Sequence, residues 1–333
     1  MSLKNVMQKM IVLPMTACVL FLGMQFTEAS RLNPFSNVQT LDISGEAKAT
    51  YIDEKTTNFF NSPAPTAEEY IVPDGWKQEK LSFDGVPVEK YTSTTTKTDR
   101  IVFFLHGGGY VGGLNNLYRD WGLHKAEVAG NATVFMLDYR LAPQNVYPAA
   151  LEDAVKAYKG LLQMGYKPDN IILMGDSAGG NLSLALAVYL RDNKIPQPKA
   201  IVLLSPWTYL GTNLPAHTNN LEKDKMLGSK NKFMLTEVSN PSYTKDIDIT
   251  NPYVSPAYAD LTGISPMLII AGGDELLLND TALVSAHAKA VGVEITEKIY
   301  PGMSHDWDIL LPELPESKAM NEQIAQFINQ KFK

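Results

Sequence analysis

Gly175-Asp176-Ser177-Ala178-Gly179 follows directly on the apolar run Asn170-Ile171-Ile172-Leu173-Met174 and precedes a helix-like stretch from Gly180 to Arg191. The pattern is a strand, a sharp turn with a serine at its apex, and a helix. A serine hydroxyl is a weak nucleophile until it is exposed, held rigid and paired with a base, and a tight turn supplies the first two. The glycines at either end leave room for strand and helix backbones to pass closely.

The partners of a serine nucleophile lie elsewhere in the chain. Arg100-Ile101-Val102-Phe103-Phe104-Leu105 reads as a buried parallel strand running into His106-Gly107-Gly108-Gly109-Tyr110. Glycines there let backbone N–H groups of Gly107, Gly108 and Gly109 face a cavity, where acyl transfer needs donors for a developing oxyanion; the N–H of Ala178 completes the set. A phosphate loop would end in Gly-Lys-Ser/Thr, and Tyr110-Val111 stands there instead. Asp274 follows the apolar run Pro266–Ala271, and His305 follows the alternating run Val293–Tyr300. Both therefore sit past the carboxyl ends of late strands, the edge at which open α/β sheets bind ligands. The order Ser177, Asp274, His305 matches one of the known chain orders for a serine–histidine–acid set, with His305 as base and Asp274 orienting it. Asp280, placed in the following helix, and Asp306, adjacent to the histidine, offer poorer geometry. His124 and His287 fall in helix-like stretches and His217 in a polar irregular one, which reads as packing or surface for each.

Taken in order, His106-Gly107-Gly108-Gly109, Asp138-Tyr139-Arg140-Leu141-Ala142-Pro143, Gly175–Gly180, Asn251-Pro252-Tyr253-Val254-Ser255-Pro256, Asp274-Glu275-Leu276-Leu277 and His305-Asp306-Trp307 resemble the hormone-sensitive-lipase-like branch of the α/β-hydrolases. Within it the chain is similar to bacterial carboxylesterases of the acetyl-hydrolase type. The resemblance implies a serine esterase acting on small or short-acyl esters without a cofactor. Deacetylation of sugars and amide or peptide hydrolysis on the same fold are the alternatives. A non-catalytic ligand-binding relative would require loss of a catalytic residue, and Ser177, Asp274 and His305 are all present. Gln144 replaces a Glu common in relatives, at a peripheral position.

The elements that must position these residues follow from periodicity. An antiparallel pair is expected across Lys80–Tyr91 around Asp84-Gly85, then strands at Arg100–Leu105, Ala132–Asp138, Asn170–Met174, Ala200–Ser205, Pro266–Ala271 and Val293–Tyr300. Helices are expected at Ala149–Met164, Gly180–Arg191, Asn279–Val291 and Glu316–Lys331. This alternation predicts an α/β fold, a mostly parallel sheet wrapped by helices over about residues 81–333. Residues 207–250 interrupt it as an insertion, and by resemblance form a cap with residues 30–80. Trp207, Tyr209, Leu214, Met226, Leu227, Phe233, Met234 and Leu235 either line an acyl pocket or fix the insertion to the core.

At 333 residues and 45% hydrophobic content the chain can bury one large core, and a net charge of −7 supplies no basic surface for nucleic acid. Lys4 and Lys9 precede an apolar run to about Phe26 and the small-x-small site Thr27-Glu28-Ala29, which reads as a signal peptide over 1–29, with an uncleaved membrane anchor as the alternative. Export to the periplasm, cell surface or medium is the expectation. Cleavage would remove Cys18, the only cysteine, and with it any disulfide or thiol chemistry. The histidines show no H-x-H or H-E-x-x-H spacing, so no metal site is expected. The sequence leaves oligomeric state open.

Overall fold

The computed structural model describes residues 31–62, 69–245 and 247–333. The expected signal segment lies outside them. Helix α1 (Gly45–Asn61) leads to the antiparallel pair β1 (Trp76–Phe83) and β2 (Val86–Ser93). Then follow β3 (Ile101–Leu105), α2 (Asn116–Val128), β4 (Thr133–Leu137), α3 (Ala149–Gln163), β5 (Ile171–Asp176), α4 (Ser177–Asp192) and β6 (Ala200–Leu204). Two short helices, α5 (Ala216–Asn219) and α6 (Lys232–Ser239), lie before β7 (Met267–Gly272). The chain closes with α7 (Leu278–Ala290), β8 (Ile295–Tyr300), α8 (Trp307–Leu310) and α9 (Pro315–Lys331).

The strands form one sheet in the order β1-β2-β4-β3-β5-β6-β7-β8, parallel from β4 to β8. Every residue of β3, β5, β6 and β7 is buried, so their side chains alternate between two separate cores. Ile101, Phe103 and Leu105 join α3, α4 and α7 on one face, while Val102 and Phe104 join Trp121 of α2 and Ile324 and Phe327 of α9 on the other. Burial on both faces explains the unbroken apolar runs.

One boundary departs from the sequence reading in an informative way. Helix α4 begins at Ser177, three residues earlier than glycine-rich sequence suggests. Glycine disfavours helix, but here contact overrides propensity. A Cβ on Gly179 would lie 2.0 Å from the Leu105 carbonyl oxygen, and one on Gly175 2.3 Å from that of Gly179. Only hydrogen fits where β3, β5 and α4 meet.

The segment between β6 and β7 is the insertion. Its Trp207, Tyr209, Leu227, Val238, Tyr243 and Val254 are buried in the core on the α4 face. Asp53 of α1 pairs with Lys225 (3.3 Å) and Lys230 (2.6 Å) of the insertion, while Lys48 pairs with Glu316 of α9. Among the described residues no helix is long and apolar enough to cross a membrane.

Candidate active site

Ser177 stands at the β5–α4 junction with φ of 49°, a left-handed conformation that costs a non-glycine residue energy and turns its side chain out of the strand line. Its Oγ lies 2.8 Å from Nε2 of His305 in the β8–α8 loop. The carbonyl of Ser177 accepts the N–H of Trp207 (3.0 Å), which fixes the turn to the start of the insertion. Two side chains 128 residues apart in sequence are therefore within proton-transfer distance.

The acid on the other ring nitrogen differs from the sequence expectation. Oε2 of Glu275 is 3.5 Å from Nδ1 of His305. Asp274 makes no ion pair with His305; it is half-buried in a cleft of about 560 Å³ bounded by α1, Lys223, Lys225, Gly302 and Ser304. The backbone explains the exchange. The N–H of Gly273 bonds the Tyr300 carbonyl and that of Asp274 the Met303 carbonyl, so Asp274 is held along the outer edge of the histidine loop. The chain then turns, and the longer Glu275 side chain reaches back beneath it. Its Oε1 accepts from the Ser205 hydroxyl (2.6 Å) and from the Gly272 N–H. Burial pushes the Glu275 carboxyl up to about 7, while His305, Ser205 and Gly272 pull it down.

A second carboxylate reaches the same imidazole. Asp306, at φ 45°, folds back so that Oδ2 lies 3.0 Å from Nε2, the nitrogen that also faces Ser177. Burial disfavours charge on His305, but Asp306 and then Glu275 outweigh it, and the imidazole is held well above its ordinary range. Asp280 is buried in α7 and accepts the Tyr209 N–H, away from the histidine.

The glycine loop divides its N–H groups. Gly107 does not offer its own to the site, contrary to expectation: it donates to Oδ1 of Asp176 (2.9 Å), whose Oδ2 accepts from the Tyr118 hydroxyl (3.0 Å). A Cβ on Gly107 would strike that carboxylate. Gly108 and Gly109 adopt φ of 105° and 64°, which glycine alone adopts readily, and their N–H groups meet no acceptor among the described residues. Ala178 lies in the first turn of α4, where N–H groups lack helical partners. His106 packs its ring on Tyr139 at 4.2 Å, and burial pulls it down to about 4, a neutral packing residue. The insertion covers this loop directly: Tyr243 stacks on Tyr110 at 3.7 Å, and Met234 Cε lies 3.4 Å from where a Gly109 Cβ would be. Of the aromatic and aliphatic insertion residues flagged in sequence, Trp207, Tyr209 and Leu227 belong to the core and Phe233 is exposed.

Of the two carboxylates that approach His305, Glu275 carries no sequence signal beyond following Asp274, and Asp306, weighed in the sequence for its nearness to the base, comes closer than adjacency suggests.

The chain resembles known ester hydrolases in both sequence and fold. Residues 102–309 match the model of a family described as having the alpha/beta hydrolase fold. The chain is 36% identical to an acetyl-hydrolase of Streptomyces hygroscopicus, over 69% of this chain and 75% of that protein. It is 32% identical to an esterase of Acinetobacter venetianus, over 73% and 78% respectively. Among solved structures, an esterase from the bacterial hormone-sensitive lipase family superposes with a TM-score of 0.77 at 33% identity, covering 87% of this chain and all (100%) of that one. The chain belongs to the hormone-sensitive-lipase-like branch of the α/β-hydrolases, and it is a carboxylic ester hydrolase.

Proposed function

We propose that the protein hydrolyses short-acyl esters of small alcohols through an acyl-enzyme, with Ser177 as nucleophile, His305 as base and Glu275 as the orienting acid. The contact that carries this reading is the 2.8 Å approach of Ser177 Oγ to His305 Nε2, with a buried carboxylate on the opposite ring nitrogen. Neutral His305 takes the Ser177 proton as Oγ attacks the ester carbonyl. Glu275 accepts the Nδ1–H, which fixes the tautomer and stabilises the imidazolium. The N–H groups of Gly108, Gly109 and Ala178 receive the oxyanion, each such donor being worth about 3 kcal/mol of barrier. The alcohol departs with the proton from His305, and water activated by the same imidazole releases the acid.

Two observations favour short chains. The neighbouring acetyl-hydrolase acts, by its name, on acetyl groups, and Met234 and Tyr243 close over the glycine loop beside the serine. Hydrolysis of p-nitrophenyl esters from acetate to decanoate tests the reading, together with Ser177→Ala. Turnover should be highest at the short end and vanish in the variant while its fold is kept. Near-normal rates in Ser177→Ala would refute the assignment.

A further inference from the structure

Asp224 lies in the insertion within Glu222-Lys223-Asp224-Lys225, a run that looks like solvated surface charge. Yet it is 2% exposed. Its Oδ1 accepts the N–H groups of Met226 (2.9 Å), Leu227 (3.1 Å) and His305 (3.4 Å), and its Oδ2 accepts that of Leu276 (2.8 Å). One bond thus ends on the residue after Glu275 and another on the base itself. The neighbouring chain reinforces both. Asn220 Nδ2 donates to the carbonyls of Glu275 (2.9 Å) and Gly273 (3.3 Å), and the Lys225 N–H donates to the Ser304 hydroxyl (3.1 Å).

We propose that Asp224 is a positioning residue for ester cleavage: its carboxylate, carried in by the insertion, ties the Glu275 loop to the His305 loop and sets how the acid meets the imidazole. The inference rests on the catalytic roles assigned above. A carboxylate is acceptor-only and can serve all four amides at once; no neutral side chain of its size can. Asn in its place turns an N–H donor toward an amide donor, and the two loops separate. Displacement of a reacting group by about 1 Å costs on the order of 100-fold in rate.

The test compares Asp224→Asn, Asp224→Ala and Asn220→Ala with the parent enzyme. Labelling of Ser177 by diethyl p-nitrophenyl phosphate, carried to completion, counts folded sites, and turnover of p-nitrophenyl acetate is divided by that count. The Asp224 variants should lose about 10- to 100-fold in kcat per labelled serine with KM little changed; Asn220→Ala should lose less. Lys225→Met, which cuts only the ion pair to Asp53, should match the parent. A purely structural role would lower the labelled fraction or the melting temperature and leave turnover per site intact. Per-site kcat within twofold of the parent in the Asp224 variants would overturn the proposal. If Asp224→Ala does not fold, the isosteric Asn and the Asn220 variant still decide it. Failure of the parent itself to label at Ser177 would instead overturn the catalytic assignment.

Discussion

Glu275→Gln and Asp274→Asn, adjacent and chemically matched, separate the two candidate acids. In the structure Oε1 of Glu275 is taken by Ser205 and Gly272, so a glutamine keeps its carbonyl oxygen there and turns its amide NH₂ toward Nδ1 of His305. Nδ1 must then accept rather than donate. The ring proton moves to Nε2, the nitrogen that has to receive the Ser177 proton. The equivalent tautomer error in a serine protease triad costs about 10⁴ in kcat, or about 5.5 kcal/mol of barrier. Glu275→Gln should fall by a comparable factor, measured as kcat on p-nitrophenyl butyrate, while its thermal melt stays close to the parent because burial already disfavours the charge. Asp274→Asn, half-buried and without contact to the imidazole, should remain within about twofold of the parent. Loss of activity in Asp274→Asn with Glu275→Gln intact would refute the argument.

The remaining predictions concern pH, acyl length and export. Carboxylate neighbours hold His305 above the ordinary range for histidine, and only its neutral form can take a proton. The acid limb of kcat/KM, which reports the free enzyme, should therefore lie on the alkaline side of 6.5, the ordinary value for histidine. Asp306→Asn, tolerated at φ 45°, should move that limb down by about one unit or more; an unchanged limb would show that Asp306 does not act on Nε2. Met234→Ala should open space over Gly109 and raise the octanoate-to-butyrate ratio of kcat/KM by about tenfold, and a constant ratio would place the acyl group elsewhere. We also propose that residues 1–29 direct export. Protein recovered outside the cytoplasm should begin near Ser30 by N-terminal sequencing, and a retained Met1 would contradict cleavage.

Local sequence carries the serine turn, the glycine loop and the histidine, because each is set by a strand end and a short-range backbone need. Gly175 and Gly179 are read correctly as contact glycines, and the strand runs are read correctly because both faces of the sheet are buried. Choosing between Asp274 and Glu275 requires knowing which carboxylate turns inward. Tyr300, Met303 and Ser205 decide that, through bonds formed only in the folded sheet. Asp306 was set aside for being adjacent to the base, yet a left-handed residue folds its side chain back to the far ring nitrogen. Asp224 hides within a run of charges, and nothing in that run marks the one that is buried.

His106 and His305 form an internal control for how this site works. Both rings are buried, and desolvation alone would keep both neutral. At His106, whose Nδ1 meets only the Gly107 carbonyl, that is the outcome. At His305 Asp306 and then Glu275 reverse it, and Asp306 also makes the buried Asp176 harder to ionise. Lys125, itself fully buried, donates to Asp308, and the Asp308 carboxylate in turn makes Asp306 harder to ionise. Acyl transfer passes through an imidazolium beside an oxyanion, so surroundings that favour the cation stabilise the state being climbed toward. They equally favour the cation before substrate arrives, when it cannot act as base. The same carboxylates that lower the barrier thus push the working range toward alkaline pH, and removing Asp306 should trade one effect for the other.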